Sequence, residues 1–499
     1  MSTTDSVLRT KPVEDVIAQA ADPVEGEAHE GVAHRLARRL TAKDLMGFGI
    51  GIVIGTGIFT LTGVEAKQHA GPGVVVSFGI AGLVSLLAAL CYAEMASAVP
   101  TAGSAYTYAY ATIGEIFAWI IGWDLILEFA LGAAVVARGW SGYLANLFDL
   151  PPTLFGEDAT VNIGAVAIVL VLGAVATVGI RESARVTNAL VVVKVVICVF
   201  VVVVGLFFID RANLTPFIPP SEPVKEGTSG LAQPLSQAVF GLEPTAFGFA
   251  GVLTAAAVVF FAYTGFEAVA NLGEETRNPS RDLPVGLLGT LALCTVLYMG
   301  VSFVITAMVD YRTIDEGAPI ASAFDAVGAG WAAALISVAA VAGLTSVILV
   351  DIVAMGRIGF SMGRDRLLPP AVAKVHPTWG TPYRITAITV VFVAVLAGFV
   401  PLGTLANLVS IGTLFAFIVV SIAVPILRRT RPEMNRPFRV PFSPVVPVLS
   451  ALACLYLMTN LSVETWLRFA VWMALGIVLY FAYGRRNARL AHREDVPTA

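Results

Sequence analysis

Long apolar runs, each close to the length needed to cross a lipid bilayer, recur along this sequence. A hydrocarbon core about 30 Å thick requires roughly 20 apolar residues per helix. Such runs lie near residues 44–64, 74–98, 112–147, 160–179, 184–209, 250–272, 284–310, 329–362, 383–401, 403–428, 445–461 and 465–484. With 57% hydrophobic and only 13% charged residues, the composition excludes an ordinary soluble protein. The sequence therefore predicts an all-α polytopic membrane protein with about twelve transmembrane helices.

Lysine and arginine residues are distributed unevenly between the two sides of the membrane. When successive runs alternate in direction, the poorer side holds only Lys67, Arg211, Lys225, Arg312 and Arg468. The positive-inside rule places the richer side, with both termini, in the cytoplasm. We expect a multi-pass plasma-membrane protein with a disordered cytoplasmic tail over residues 1–40 and a second cytoplasmic tail over residues 485–499.

No metal site or cofactor is expected. The cysteines lie in four different apolar runs, at Cys91, Cys198, Cys294 and Cys454. Neither they nor the histidines near span ends, His69 and His376, have the spacing of metal ligands, so we interpret the cysteines as small buried hydrophobic residues. The basic segment 428–439 fits contact with anionic membrane lipids, and no nucleic-acid partner is expected.

The first apolar run contains a glycine-rich stretch, GIGIVIGTGIF, at residues 49–59. One interpretation is helix packing, because Gly47, Gly51 and Gly55 recur every four residues and would let a neighbouring helix approach closely. The other interpretation is an interrupted helix whose freed backbone groups bind a ligand. Unpaired N–H and C=O groups are tolerated at membrane depth only where they line a protected or watery cavity.

A second interruption is predicted in the sixth run, where residues 260–275 read FFAYTGFEAVANLGEE. Gly265, Glu267, Asn271 and Gly273 fall within it, five runs after the first glycine-rich stretch. Paired broken helices at corresponding positions indicate the binding site of an inverted-repeat transporter. The pairing therefore favours the interrupted-helix interpretation of residues 49–59.

Five segments resemble the amino acid, polyamine and organocation transporter superfamily, and they are most similar to its cationic amino acid transporter branch. They read LTAKDLMGFGIGIVIGTGIF, YAEMASAVPTAGSAYTYAY, GWDLILEFALG, FFAYTGFEAVANLGEETRNPSRDLPVGL and MGRDRLLP. The resemblance implies a five-plus-five inverted-repeat core of the LeuT type over residues 41–428, with two peripheral helices over residues 429–484. It also implies that the protein moves amino acids by alternating access.

An α-amino acid is a zwitterion, so its carboxylate and its ammonium both need partners inside the membrane. N–H groups at the start of the outer half of the first span would bind the carboxylate, and they belong to Gly55, Thr56 and Gly57. Carbonyls freed near the two breaks would accept from the ammonium, at Ile52, Val53, Phe260, Phe261 and Tyr263. The superfamily uses these motifs in the same way.

Other positions near the breaks have predicted structural or gating roles. The resemblance implies that Phe261 covers the bound substrate from outside, whereas the alternative is a packed core aromatic. Gly265 is assigned to the break itself, and Glu267 is predicted to link the unwound segment to its neighbours. Glu94 and Asp365 fit contacts of a cytoplasmic gate or loop.

Lys194 lies about ten residues into the fifth run, and charges at such depth are rare and costly. A buried lysine readily gives up its proton, because desolvation disfavours the ammonium. The resemblance implies that it reaches the broken first helix and couples transport to protons. The alternative is a structural ammonium held permanently by backbone carbonyls.

Two carboxylates lie deep in the third run, and a third lies in the eighth. Asp124 and Glu128 are four residues apart and share one helical face. The resemblance places Glu128 near the binding site, where it would share in proton movement or hold a cationic substrate. Asp351 is a departure from the superfamily, which more often has an uncharged residue there. It could accept a guanidinium or ammonium from the substrate, pair instead with Arg357, or stay protonated.

The sequence therefore predicts a secondary active transporter that imports amino acids, with a proton gradient as its energy source and arginine and lysine among its substrates. The alternatives are a neutral or broad-range symporter, an amino acid or amine exchanger, a polyamine transporter, and a sensor that binds amino acids without moving them. An enzyme is not expected, because no constellation of nucleophile, base or metal ligands occurs.

Overall fold

A computed structural model of the protein describes residues 9–10, 40–99, 104–157, 159–179, 184–223, 230–243 and 245–488. Most of the predicted N-terminal tail, and residues 489–499 of the C-terminal one, lie outside this part of the chain. At Arg9, the backbone carbonyl accepts a hydrogen bond of 2.9 Å from the N–H of Glu115, the first residue of a long helix.

Apolar helices occupy every one of the twelve predicted runs. The α-helices are Ala42–Val53, Thr62–Glu65, Val74–Ala98, Ser104–Thr112, Glu115–Phe148, Pro152–Phe155, Ile163–Val178, Ala184–Gly205, Leu235–Phe240, Gly248–Val259, Pro279–Met308, Pro319–Ala326, Gly330–Arg364, Tyr383–Phe399, Leu402–Thr430, Val445–Thr459, Val463–Leu479 and Arg485–Asn487. We number the spans from one to twelve after the runs that they occupy. The prediction of an all-α polytopic membrane protein is confirmed.

Shorter elements complete the described chain. The π-helical segments are Gly57–Leu61, Ala66–Ala70 and Tyr480–Gly484, and the 3-10 helices are Gly71–Gly73, Leu206–Phe208, Arg211–Leu214, Phe260–Tyr263, Phe266–Glu275 and Tyr311–Thr313. Two short strands, Glu222–Pro223 and Thr245–Ala246, pair antiparallel. Glu222 and Pro223 are exposed, and Thr245 and Ala246 are only partly buried, so the strands lie outside the helical core.

The first span is broken where the glycine-rich stretch predicts. Its first half ends at Val53, because Ile54 adopts extended backbone angles of φ −74° and ψ 95°. Helical bonding resumes when the N–H of Phe59 donates to the carbonyl of Gly55. The amides that precede Phe59 lie in a first helical turn, where N–H groups have no acceptor within the helix.

The sixth span is broken at the corresponding place. Its α-helix ends at Val259 and tightens into the 3-10 turn Phe260–Tyr263. Thr264 is extended, and Gly265 has a φ of +96°, a conformation that favours glycine over residues with a side chain. The chain then continues as a second 3-10 segment, Phe266–Glu275.

The third span lies at the centre of the molecule and the twelfth at its periphery. Within the most apolar stretch of the third span, 83% of the residues are buried inside the protein, whereas the corresponding share for the twelfth span is 22%. The third span packs against the eighth and tenth, and the seventh packs against the first and second. Side chains on the third span therefore reach the eighth and tenth spans, and the hydroxyl of Tyr143 also donates to the carbonyl of Phe59 in the first span.

A buried glutamate at the end of the second span pairs with the partly exposed Arg428 at the end of the tenth span and, at 3.8 Å, with the buried Arg436. We call this side of the membrane, on which Ala42 also lies, the inner side. Glu94 is 2% exposed, and it accepts from Arg428 at 2.8 Å to Nε and 2.6 Å to Nη2. It also accepts from the N–H of Val440 at 2.7 Å. The predicted contact of Asp365 is present as well, with a hydrogen bond of 2.7 Å from the hydroxyl of Tyr106.

Removal of the Glu94 carboxylate should destabilise the protein strongly. Breaking a buried pair leaves the partner uncompensated and costs on the order of 3 kcal/mol. We expect Glu94→Ala to lower the thermal unfolding midpoint in detergent by several degrees. The matched control is Glu464→Ala, which removes an exposed pair with Arg468 and should cost less than about 1 kcal/mol. Equal midpoints for the two variants would contradict this assignment.

Candidate functional site

The two breaks face a common cavity in the middle of the molecule. The residues around it come from the first, third, sixth, eighth and tenth spans, and they are Ile52, Val53, Gly55, Thr56, Gly57, Glu128, Phe129, Gly132, Val136, Phe261, Thr264, Gly265, Glu267, Val347, Asp351 and Val409. Sequence positions as distant as 52 and 409 therefore meet at one site.

The broken segments touch each other without a side chain between them. A Cβ atom on Gly57 would overlap Cα and Cβ of Ala262 and would lie 3.0 Å from its nitrogen. On the opposite side of the contact, a Cβ on Gly265 would overlap the side chain of Ile52. The two glycines let the backbone of the first span pass directly beside that of the sixth.

Thr56 occupies the start of the outer half-helix. Its side chain is fully buried, and its hydroxyl has no hydrogen-bond partner within the described residues. On the third span, Gly139 makes room for it, since a Cβ there would lie 2.6 Å from Cγ2 of Thr56. The site thus presents an unpaired hydroxyl beside the first-turn amides.

Two of the carbonyls predicted to accept from a substrate ammonium already have protein donors. The carbonyl of Val53 accepts from the hydroxyl of Tyr298 at 2.6 Å. The carbonyl of Phe261 accepts from both the N–H and the hydroxyl of Thr264, at 3.1 and 2.9 Å. A ligand would have to share these oxygens or use their second lone pair.

Phe260 and Tyr263 do not line the cavity, in contrast to the other predicted residues of the sixth break. Phe260 packs edge to face against Phe417 with ring centroids 5.6 Å apart. The hydroxyl of Tyr263 donates to the carbonyl of Phe78 at 2.8 Å. Phe261 does line the cavity and is only 6% exposed. That position suits both a cover for a ligand and a packed aromatic.

Three carboxylates surround the cavity, and their partners differ. Glu128 accepts from the hydroxyl of Thr413 on the tenth span at 2.7 Å. Both oxygens of Glu267 lie 3.0 Å from the N–H of Gly265, so this carboxylate binds the break in its own span. Asp351 packs against Gly132, where a Cβ would lie 3.3 Å from Oδ2. It interacts electrostatically with Lys194, and within the described residues it has no hydrogen-bond donor.

Lys194 lies beside the cavity rather than in its wall. Its side chain is 1% exposed, and Nζ donates to the carbonyl of Gly51 at 2.6 Å, less than one turn before the first break. Its aliphatic stem packs on Gly343, where a Cβ would lie 3.0 Å from Cε. This contact with the broken helix is the one that the resemblance implies. A hydrogen bond from Lys194 to Gly51 is compatible with a proton carrier and equally with a structural ammonium.

Residues 40–482 match the family model described as amino acid permease. This chain belongs to the amino acid permease family. The permease is 43% identical to the methylthioribose transporter of Bacillus subtilis (strain 168), over 97% of its own length and 99% of the relative's. It is 40% identical to the branched-chain amino acid permease BcaP of the same organism, with the same coverage. With the mitochondrial cationic amino acid transporter 3 of Arabidopsis thaliana it shares 32% identity, over 96% of each chain.

These similarities confirm the superfamily that the five sequence segments indicate. They also confirm that the permease is a multi-pass membrane transporter and not an enzyme. The relatives differ in the substrates that their names state: a thiosugar, branched-chain amino acids and cationic amino acids. The family therefore fixes membrane transport as the class of function, and the choice of substrate depends on the cavity of this chain.

Several cavity residues of the permease were missed by the sequence analysis. They are Phe129, Gly132, Val136, Thr264, Val347 and Val409. Helical spacing would have found three of them, because Gly132 and Val136 follow Glu128 by one and two turns and Val347 precedes Asp351 by one. Val409 could not be found in this way, since no candidate residue on the tenth span had been identified.

Proposed function

We propose that this permease imports amino acids across the plasma membrane by alternating access, driven by a proton gradient, and that it accepts arginine and lysine. Both termini then lie in the cytoplasm. The observation that carries the choice of substrate is the position of Asp351 in the cavity wall, without a hydrogen-bond donor among the described residues. Arg357, the alternative partner predicted from sequence, is exposed on the same helix.

The backbone of the two breaks supports the α-amino acid part of the proposal. First-turn amides after Gly55 carry a partial positive charge that suits a carboxylate, and the hydroxyl of Thr56 can donate beside them. Carbonyls at the end of the first half-helix, including those of Ile52 and Val53, carry the opposite partial charge. Each end of a zwitterion thus has a partner of the right sign.

The carboxylates support a cationic side chain. Glu128 and Glu267 are held by protein donors, whereas Asp351 interacts electrostatically with Lys194 but accepts no hydrogen bond within the described residues, so it can accept one from a guanidinium or an ammonium of the substrate. A charge-assisted bond of this kind is about twice as strong as a neutral one. The proposal therefore assigns Asp351 to recognition of the side chain, and Glu128 and Lys194 to coupling with protons.

A neutral substrate is the second candidate, and a specific observation favours it. Apolar side chains of Phe129, Val136, Val347 and Val409 form much of the cavity wall. Two relatives are named for methylthioribose and branched-chain amino acids. In that case Asp351 would remain protonated and would act as a hydrogen-bond donor to the substrate.

Uptake into proteoliposomes distinguishes these functions. Labelled arginine, leucine and methylthioribose are supplied outside, with and without an inward proton gradient. Accumulation of arginine that requires the gradient supports the proposal. Gradient-driven accumulation of leucine or methylthioribose alone supports the neutral candidate, and uptake that requires an internal amino acid instead of the gradient indicates an exchanger.

Substitution of Asp351 by asparagine should weaken the binding of arginine more than that of neutral amino acids. Loss of a charged hydrogen bond costs about 1.5–3 kcal/mol, which corresponds to a roughly 10- to 150-fold weaker affinity. We expect Asp351→Asn to show this loss for arginine in a competition assay, with leucine changed less than threefold. The control is Asp149→Asn, an exposed aspartate at the end of the third span. Unchanged arginine affinity in Asp351→Asn would remove the side-chain role.

A further inference from the structure

Asp124 is a deeply buried carboxylate that takes no part in the cavity. It is fully buried in the third span, and within the described residues neither of its oxygens has a hydrogen-bond partner. An ionised carboxylate in such a position is very costly, whereas a carboxylic acid costs far less. Residues of this kind inside membrane proteins often belong to proton or ion paths.

The surroundings of Asp124 connect it to the cavity. It precedes Glu128 by one turn on the same helical face, and Glu128 lines the cavity. Both side chains point at the tenth span, where a Cβ on Gly412 would lie 2.8 Å from Oδ1 of Asp124, and where Thr413 donates to Glu128. At 1.5 Å per residue, Glu128 lies about 6 Å deeper than Asp124, which is itself about 14 Å from the inner end of the helix.

Two tyrosine hydroxyls extend this polar region across neighbouring helices. Tyr92 on the second span and Tyr108 on the helix before the third span are fully buried, and their hydroxyls have no partner within the described chain. The Tyr92 hydroxyl interacts electrostatically with Glu128, Asp124 and Tyr108. We call Tyr92, Tyr108 and Asp124 the inner polar cluster.

The inner polar cluster contains groups that can both give and receive a proton. Glu128 and Glu267 are the other titratable side chains that interact electrostatically with Tyr92 in this region, and Gly412 of the tenth span lies beside Asp124. Hydroxyl and carboxyl groups can form a hydrogen-bonded chain once small rearrangements or water join them. Such a chain would lead from Glu128 toward the inner side of the membrane.

We propose that Asp124 receives the transported proton from Glu128 and releases it on the inner side. In this step the O–H bond of the Glu128 carboxyl breaks and an O–H bond forms on the Asp124 carboxylate. Asp124 then gives the proton to water when the inner side opens, and Glu128 takes up the next proton from the outer side. This inference rests on the proposed proton coupling and adds a second carrier to it.

Asp124→Asn is the variant that tests this assignment. Asparagine has nearly the same shape against Gly412 but cannot carry the proton. In proteoliposomes, counterflow of labelled substrate requires no net proton movement, whereas accumulation does. We expect counterflow within about twofold of the unchanged permease and gradient-driven accumulation reduced at least tenfold. The proton flux per substrate, followed with an internal pH dye, should fall with the accumulation.

The control is Ser85→Ala. Like Tyr92, Ser85 lies on the second span and has a fully buried hydroxyl without a partner in the described chain, but it lies outside the inner polar cluster. It should change neither assay. Full accumulation by Asp124→Asn overturns the inference and leaves the proposed proton coupling intact. An equal loss of counterflow and accumulation also overturns it, because that result indicates a structural role for Asp124. Accumulation without a gradient in the unchanged permease instead refutes the proposed coupling. If Asp124→Asn is not monodisperse, Tyr108→Phe is measured instead, in the same counterflow and accumulation assays and with the same expected outcomes.

Discussion

Replacement of Gly57 by alanine should abolish substrate binding and transport. The added methyl group would overlap Cα and Cβ of Ala262, which belong to the backbone side of the other break and cannot rotate away. Overpacking of this kind costs about 1–3 kcal/mol or more. Because the displaced segments both line the cavity, we expect substrate affinity to fall at least tenfold in scintillation proximity binding, and uptake to fall with it.

The matched control lies on the same broken helix. A Cβ on Gly47 would meet no atom within 4 Å, so Gly47→Ala should bind and transport normally. Normal binding by Gly57→Ala would show that the close approach of the breaks is not needed for the site. Comparing the two variants also separates helix packing from an interrupted helix as the role of the glycine-rich stretch. Of Gly47, Gly51 and Gly55, which are spaced by four residues, only Gly51 packs tightly against a neighbouring helix, at Val191.

Replacement of Lys194 by methionine should uncouple uptake from the proton gradient. Methionine keeps an unbranched stem against Gly343 but loses the ammonium that donates to the carbonyl of Gly51 at 2.6 Å. The link between a titrating group and the broken helix is then gone. We expect gradient-driven accumulation in proteoliposomes to fall at least tenfold, while counterflow of labelled substrate is retained.

Lys43→Met serves as the control, since Lys43 is exposed at the start of the same broken helix. Undiminished accumulation by Lys194→Met would reject the coupling role. Loss of counterflow together with accumulation would instead support the alternative, in which the ammonium is a structural anchor of the first break. The two interpretations share one contact, so this pair of assays is needed to choose between them.

The positions of the spans and of both helix breaks could be predicted from the sequence. Span length follows directly from the thickness of the bilayer, and a break requires residues that weaken a helix locally, such as Gly55 and Gly265. Both signals lie within about 20 consecutive residues. The type of helix around each break was not predicted, because π and 3-10 turns depend on how neighbouring helices press on the segment.

The site was predicted in outline, and the missing parts are contacts between distant segments. The bond from Tyr298 to Val53 joins residues 245 positions apart, and Glu128 meets Thr413 across 285 positions. Nothing in the local pattern around either residue identifies its partner. Asp124 shows the same limit: its helical face was evident, but its position beside Gly412, without a hydrogen-bond partner in the described part of the chain, was not.

The direct contact between Gly57 and Ala262 has a consequence for how such a protein can change its substrate. In the proposed alternating-access mechanism, rocking of one half of the molecule against the other would displace backbone atoms beside the cavity at this contact. We therefore expect a change at this contact to alter affinity and turnover together. Residues on the third, eighth and tenth spans line the cavity without forming that junction. We expect selectivity to diverge among relatives through those spans, while the junction itself stays fixed.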